Sequence, residues 1–214
     1  MKQKGAKIKA IFFDFDMTLV NSMPTAKASY KALSEASGIP MTKKGFKNYI
    51  GRRFSTSMDF FSKNKVELRK KMTKIYVNSH IENFKNLTAY GLRALNYLRK
   101  NKIKIVIISR NKKEILEKET KILKIPYDLI LSDSDMKHGE EKHQIMLRIL
   151  KKLNLKRDEV YYVGDHINDI IEANKAKIKI VSVTTGVYSM KELKRLKPDY
   201  IISDLNKIIH IIKK

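Results

Sequence analysis

The stretch FFDFDMTLV, residues 12–20, reads as an apolar strand that carries two carboxylates, Asp14 and Asp16. Burying one unpaired carboxylate is costly, and two side by side are worse, because desolvation penalises the charged form and like charges repel. Such a strand needs a positive partner. The acids stand two residues apart, so the period of a strand aims both the same way. A second stretch, YYVGDHINDI (161–170), ends another apolar run with Asp165 after Gly164, and Asp169 follows four residues on, at or near a helix start. If the two strands are neighbours, three or four carboxylates converge on one point. A hard divalent cation with oxygen ligands, most naturally magnesium, would hold them together.

Outward from these stretches, apolar runs of strand length recur: KIKAIFFDF (7–15), IKIVIIS (103–109), YDLILSD (127–133), EVYYVGD (159–165), IKIVSVTTG (178–186) and PDYIISD (198–204). Most are continuous and rich in Ile and Val, as parallel strands covered on both faces should be. Helix-period stretches lie between them, at 89–101, 112–123, 142–154 and 168–176. This alternation predicts an α/β fold, a Rossmann-like doubly wound parallel sheet with right-handed crossovers. Residues 21–88 break the rhythm. They carry helical patterns, as in PTAKASYKALSEASG and KNKVELRKKMTKIYVNSHIENF, and no convincing strand. The economical division is a core from 1–20 and 89–214 with a small inserted α-helical cap over 21–88. The cap would sit above the carboxyl end of the first strand, where open α/β sheets bind ligands.

Composition narrows the function classes. The chain of 214 residues has no cysteine, which excludes disulfides, thiolate metal sites and cysteine nucleophiles. The lysines and apolar residues of MKQKGAKIKAIFF superficially resemble a secretory leader, but Asp14 and Asp16 interrupt the apolar stretch and no small-residue cleavage site follows. No apolar run approaches membrane-spanning length. The expectation is a cytoplasmic, soluble protein, monomeric or dimeric, with no membrane partner. The formal charge is +24, and residues 20–88 hold fourteen Lys/Arg against four Asp/Glu. Such a charge fits either a lysine-rich background or an anion-attracting surface. It leaves a nucleic-acid partner open, although no recognised nucleic-acid motif is visible.

Taken together, DFDMTLV, IVIISR and VGDHIND resemble the first, second and fourth motifs of the haloacid dehalogenase superfamily of aspartate-nucleophile phosphatases. The likeness runs over nearly the whole chain. The closing pattern VSVTTGVYSMKELKRLKPDYIISDLNKII and the stretch SHIENFKNLTAYGLRALNYLRKNKIKIVIIS are similar to the phosphoglycolate phosphatase-like branch, whose small helical cap occupies the place of residues 21–88 here. The third motif is a lysine. A gapless comparison with one common form puts Glu140 in its place, whereas the spacing of another form selects Lys142, with Lys137 in reserve.

The resemblance implies a magnesium-dependent hydrolase acting on a small phosphorylated metabolite. Asp14 would attack phosphorus to give an aspartyl-phosphate, and Asp16 would protonate the leaving oxygen and then activate water. Asp14 and Asp165 would ligate the metal by carboxylate, Asp16 by its backbone carbonyl, and Asp169 directly or through water. Ser109 and Lys142 would hold phosphate oxygens, and Thr18 would support the first-motif loop. Of the adjacent Arg52 and Arg53, at most one should reach the site; Arg52 would suit a carboxylate or second phosphate. His166 is expected to be a loop residue near the cap or substrate, and Met58, Met72 and Tyr76 to be packing residues. A sugar phosphomutase of the same fold, and a phosphatase acting on nucleic-acid ends, are the competing readings. A dehalogenase proper does not fit Asp16.

Overall fold

The structure is a computed structural model that describes residues 6–137 and 139–213. In chain order, β1 (Ala10–Phe13) and β2 (Val20–Asn21) lead into four helices, α1 (Met23–Ser37), α2 (Lys43–Tyr49), α3 (Phe54–Ser62) and α4 (Val66–Asn83). Then follow β3 (Thr88–Ala89), α5 (Leu92–Lys100), β4 (Lys104–Ile108), α6 (Lys113–Ile122), β5 (Leu129–Leu131) and α7 (Lys142–Leu153). The chain closes with β6 (Val160–Gly164), α8 (Ile167–Ala176), β7 (Lys179–Val183), α9 (Met190–Arg195), β8 (Tyr200–Ile202) and α10 (Ile208–Ile212).

Six strands form one parallel sheet in the order β5-β4-β1-β6-β7-β8. β1 is central, with Phe13 opposite Ile107 on one side and Val163 on the other. Its four residues are all fully buried and alternate between two hydrophobic clusters, Ile11 and Phe13 in one, Ala10 and Phe12 in the other. That double burial is why the strand is continuously apolar rather than alternating. The order reverses direction at β1, so the crevice beyond the carboxyl ends of β1, β4 and β6 is the switch point where such sheets take ligands.

The six apolar runs are these six strands, each trimmed at its ends. Two details differ from expectation. First, the ordered strand stops at Phe13. Asp14 still donates its N–H to the Val163 carbonyl at 2.8 Å, but the chain then turns tightly, with Leu19 N bonded to Phe15 O and Met17 at φ +60°. The acids therefore stand on the loop leaving the strand. Second, the helical insertion is entered and left through a two-stranded antiparallel ribbon, β2 against β3, pairing Val20 with Ala89 and Asn21 with Thr88. Two residues per strand are too few to show a period.

Helices α1 and α4 pack lengthwise, and an aromatic group of Tyr30, Tyr49 and Phe61 fills the space between α1, α2 and α3, with ring centroids 5.3–6.1 Å apart. Met58 and Met72 are buried packing residues. Among the described residues no helix is long and apolar enough to cross a membrane.

Candidate active site

The loops leaving β1, β4 and β6 and the first turn of α7 meet at one cavity of about 90 Å³, roofed by residues of α1 to α4. Asp14, Asp16, Ser109, Lys142, Asp165, Asp169 and Arg52 all line it. At its floor, ligand oxygens of Asp14, Asp165 and Asp169 lie within 4.8 Å of one another. The Lys142 ammonium, 5% exposed as a residue, donates to Asp14 Oδ1 at 2.6 Å, Asp169 Oδ1 at 2.8 Å and the Tyr162 hydroxyl at 3.0 Å. Lysine thus supplies the positive charge that makes buried acids tolerable.

Local structure fixes each of these groups. Lys142 is the first residue of α7, whose start is closed by a reciprocal pair in which Glu141 N donates to Gln144 Oε1. Lys137 is exposed and does not line the cavity, and Glu140 turns away to pair with Arg148 at 3.1 Å. Asp169 sits in the first turn of α8, where its Oδ2 accepts from His166 N at 3.1 Å and its Oδ1 also accepts from Tyr162 at 3.1 Å. Thr18 reaches beyond its own loop, donating to Asp165 Oδ1 at 2.9 Å. Ser109 is buried, and its Oγ accepts from Asn111 N at 3.1 Å.

Two glycines matter because nothing larger fits. A Cβ on Gly186 would lie 1.8 Å from Asp165 Oδ2, and one on Gly164 would lie 2.3 Å from Asp169 Oδ2. The backbone therefore closes around the carboxylates as a cradle of hard oxygen donors, which fits a divalent cation of the magnesium type. Gly164 belongs to a motif already read from the sequence. Gly186 ends the run IKIVSVTTG and lies in the closing pattern, but neither marked it as a site residue.

The charges are unequally balanced. Burial pushes the Asp14 carboxyl up to about 7 although Lys142 opposes it, and burial pushes Asp165 well above the carboxylate range with Asp14 and Asp169 adding to the rise. Asp169 is also buried, but the Lys142 ammonium, which also hydrogen-bonds to it, and the His166 backbone N–H outweigh burial and hold it low. Without a further cation the cluster is short of positive charge. Asp14 keeps 9% of its surface open, so it can be reached from the cavity, whereas Asp165 at 2% cannot easily leave its place.

The roof is different in kind. Arg52 lines the cavity with its guanidinium over the Phe60 ring at 4.7 Å, and no carboxylate pairs with it among the described residues. Arg53 points away and is bound to Asp133, Nε to Oδ1 at 2.6 Å. His166 caps α8, its Nδ1 accepting from Asn168 N at 3.1 Å, and its ring lies beside Gly51 and edge-on to Tyr188 at 4.6 Å. Burial pushes that imidazole down to about 4. Tyr76 is a packing residue and more, since its hydroxyl donates to Asn111 Oδ1 at 2.6 Å. Asn111 and Tyr76 were not singled out for the site by their sequence positions.

Comparison with known proteins agrees with this architecture. Residues 11–183 match the family model described as haloacid dehalogenase-like hydrolase. A curated relative from Caldanaerobacter subterraneus subsp. tengcongensis, named "Putative pyrophosphatase PpaX", is 25% identical over 97% of this chain and 96% of its own length. A Bacillus mycoides protein named pyrophosphatase PpaX is 22% identical over 97% of this chain and 98% of its own. A solved structure described as a predicted phosphoglycolate phosphatase from Haemophilus somnus superposes with a TM-score of 0.83, at 19% identity, covering 96% of this chain and 98% of that one. At that identity the likeness is one of fold. With a family match spanning most of its length, the chain belongs to the haloacid dehalogenase-like hydrolases.

Proposed function

We propose that the protein is a magnesium-dependent phosphatase that hydrolyses a small phosphorylated metabolite through a phosphorylated Asp14. The observation that carries this reading is the junction at Lys142, whose ammonium touches Asp14 and Asp169 at 2.6 and 2.8 Å beside the buried Asp165. In the first step an Asp14 oxygen attacks phosphorus while Asp16 gives a proton to the departing oxygen. In the second, Asp16 takes a proton from water, which attacks the aspartyl-phosphate. Lys142 and the Ser109 hydroxyl hold phosphoryl oxygens, and Lys142 also offsets the charge gathered around Asp14. The carboxylates of Asp14, Asp165 and Asp169 and the Asp16 carbonyl would hold magnesium, which supplies charge neutralisation and orientation of the phosphoryl group when bound.

Residues 21–88 act as the cap of this enzyme and choose the substrate. Arg52 has no carboxylate partner among the described residues and faces a small cavity, which suits a second anionic group on the substrate. Phosphoglycolate and pyrophosphate, the compounds in the names of the relatives, both carry one. The substrate class is therefore a short phosphate with a charged tail. A screen across phosphorylated metabolites, run with magnesium and with chelator and controlled by Asp14→Asn, tests the reading. Phosphate release that needs magnesium and Asp14 supports it; full activity in Asp14→Asn would demand another attacking group.

A further inference from the structure

Asp16 takes no hydrogen bond from Lys142. Its side-chain partner among the described residues is Asn111, whose Nδ2 donates to Asp16 Oδ2 at 3.3 Å. The orientation of the Asn111 amide is not free. Its Oδ1 accepts from Lys112 N at 2.7 Å, and a backbone N–H can only donate, so a flipped amide would set donor against donor. Its own N–H is bound to Ser109 Oγ at 3.1 Å, which ties the residue to the end of β4. The remaining lone pair of Oδ1 accepts from the Tyr76 hydroxyl at 2.6 Å.

Tyr76 comes from α4, in the insertion, and is buried with its ring against Phe54 at 5.1 Å and His80 at 4.1 Å. Burial pushes its phenol well above the usual range, so it stays a donor at any working pH. The result is a chain of hydrogen bonds from a roof helix, through one amide, to the acid on the floor. Two donors on Oδ1 also polarise the amide and strengthen what its Nδ2 gives to Asp16.

Resting on the phosphatase reading above, we propose that Asn111, held by Tyr76, is the positioning residue that sets Asp16 for proton transfer. Asn111 occupies Oδ2, which leaves Oδ1 as the oxygen that handles the proton. In the first half-reaction an Asp14 oxygen forms its bond to phosphorus as the bond to the leaving oxygen breaks. That oxygen gains the proton from Asp16 Oδ1, and the O–H electron pair stays on the carboxylate. The roof therefore contributes to chemistry and not only to selection: without the Tyr76 hydroxyl, Asn111 loses a partner and the Asp16 carboxyl is less tightly held.

The test compares two leaving groups in wild type, Tyr76→Phe and Asn111→Leu. An alkyl phosphate needs its leaving oxygen protonated, whereas p-nitrophenyl phosphate releases a phenolate that does not. The ratio of kcat/KM between them reads the acid step alone, because kcat/KM reports events only as far as transfer to Asp14. Both substitutions are close to isosteric, and melting curves check that the variants remain folded. The expected result is a fall of about tenfold or more with the alkyl phosphate and little change with p-nitrophenyl phosphate. Equal losses on both substrates would mean a structural role and overturn the proposal, as would no loss on either. If wild type releases phosphate from none of the phosphorylated compounds of the screen above, the phosphatase reading fails first and takes this inference with it.

Discussion

Below the cavity, Asp14, Asp165, Asp169 and Lys142 come from distant points of the chain and touch only because β1 lies between β4 and β6. Above it, Tyr49, Arg52, Tyr76 and His80 come from the single stretch 49–80 and are packed among aromatic neighbours. The floor is a charge arrangement that exists only in the closed tertiary structure, and its acids are displaced from their ordinary protonation behaviour by burial and by one another. The roof is mostly neutral and locally built. Changes below should therefore abolish chemistry, and changes above should mostly redirect or grade it.

The largest expected effect is on the floor. Asp14→Asn should lower kcat by about 10⁴-fold or more while circular dichroism shows the fold intact, because an amide of the same shape cannot act as the nucleophile. Next comes Gly186→Ala. Its methyl group would press on Asp165 Oδ2, so the magnesium concentration for half-maximal activity should rise about tenfold or more, as when a ligand's supporting groups are disturbed. An unchanged magnesium titration would remove Asp165 from the metal site.

On the roof, Arg52→Ala should raise KM about tenfold for phosphoglycolate or pyrophosphate and leave p-nitrophenyl phosphate nearly untouched. A fall in kcat for all three would erase the division of labour between the walls.

The smallest effect lies outside both. Glu119 on α6 is fully buried, neither of its carboxyl oxygens has a partner among the described residues, and burial pushes it well above its ordinary value. The folded state then keeps a proton that the unfolded chain releases above the ordinary value, so this group makes stability fall as pH rises from there towards the raised value. Glu119→Gln should flatten the dependence of unfolding free energy on pH above the ordinary glutamate range, by at most about 1.4 kcal/mol per pH unit, in denaturant titrations.

Much of the floor was legible because Asp14, Asp16 and Asp165 stand at the ends of apolar runs, and an acid in that place contradicts its surroundings unless chemistry explains it. Lys142 was reached through the family resemblance, whose helix-start form of the third motif selects it by its spacing to Gly164. What could not be read depends on closure in three dimensions. Gly186 matters only for an oxygen more than twenty residues earlier in the chain. Asn111 acquires its role from Lys112 N and from Tyr76, thirty-five positions away. Tyr76 looked like packing because it is packing, and its hydroxyl adds a second duty that no periodicity encodes. The β2–β3 ribbon escaped notice because pairs of residues have no pattern.

The central place of β1 also has a price during synthesis. The strand leaves the ribosome before both of the segments that must satisfy its edges, β4 at residues 104–108 and β6 at 160–164. Until the second of these emerges, the run Ala10–Phe13 is a sticky, half-paired segment of a growing chain. Such long-range pairing is intrinsically slow, so the lifetime of that exposed run, rather than the strength of the finished sheet, sets the risk of aggregation in a cell.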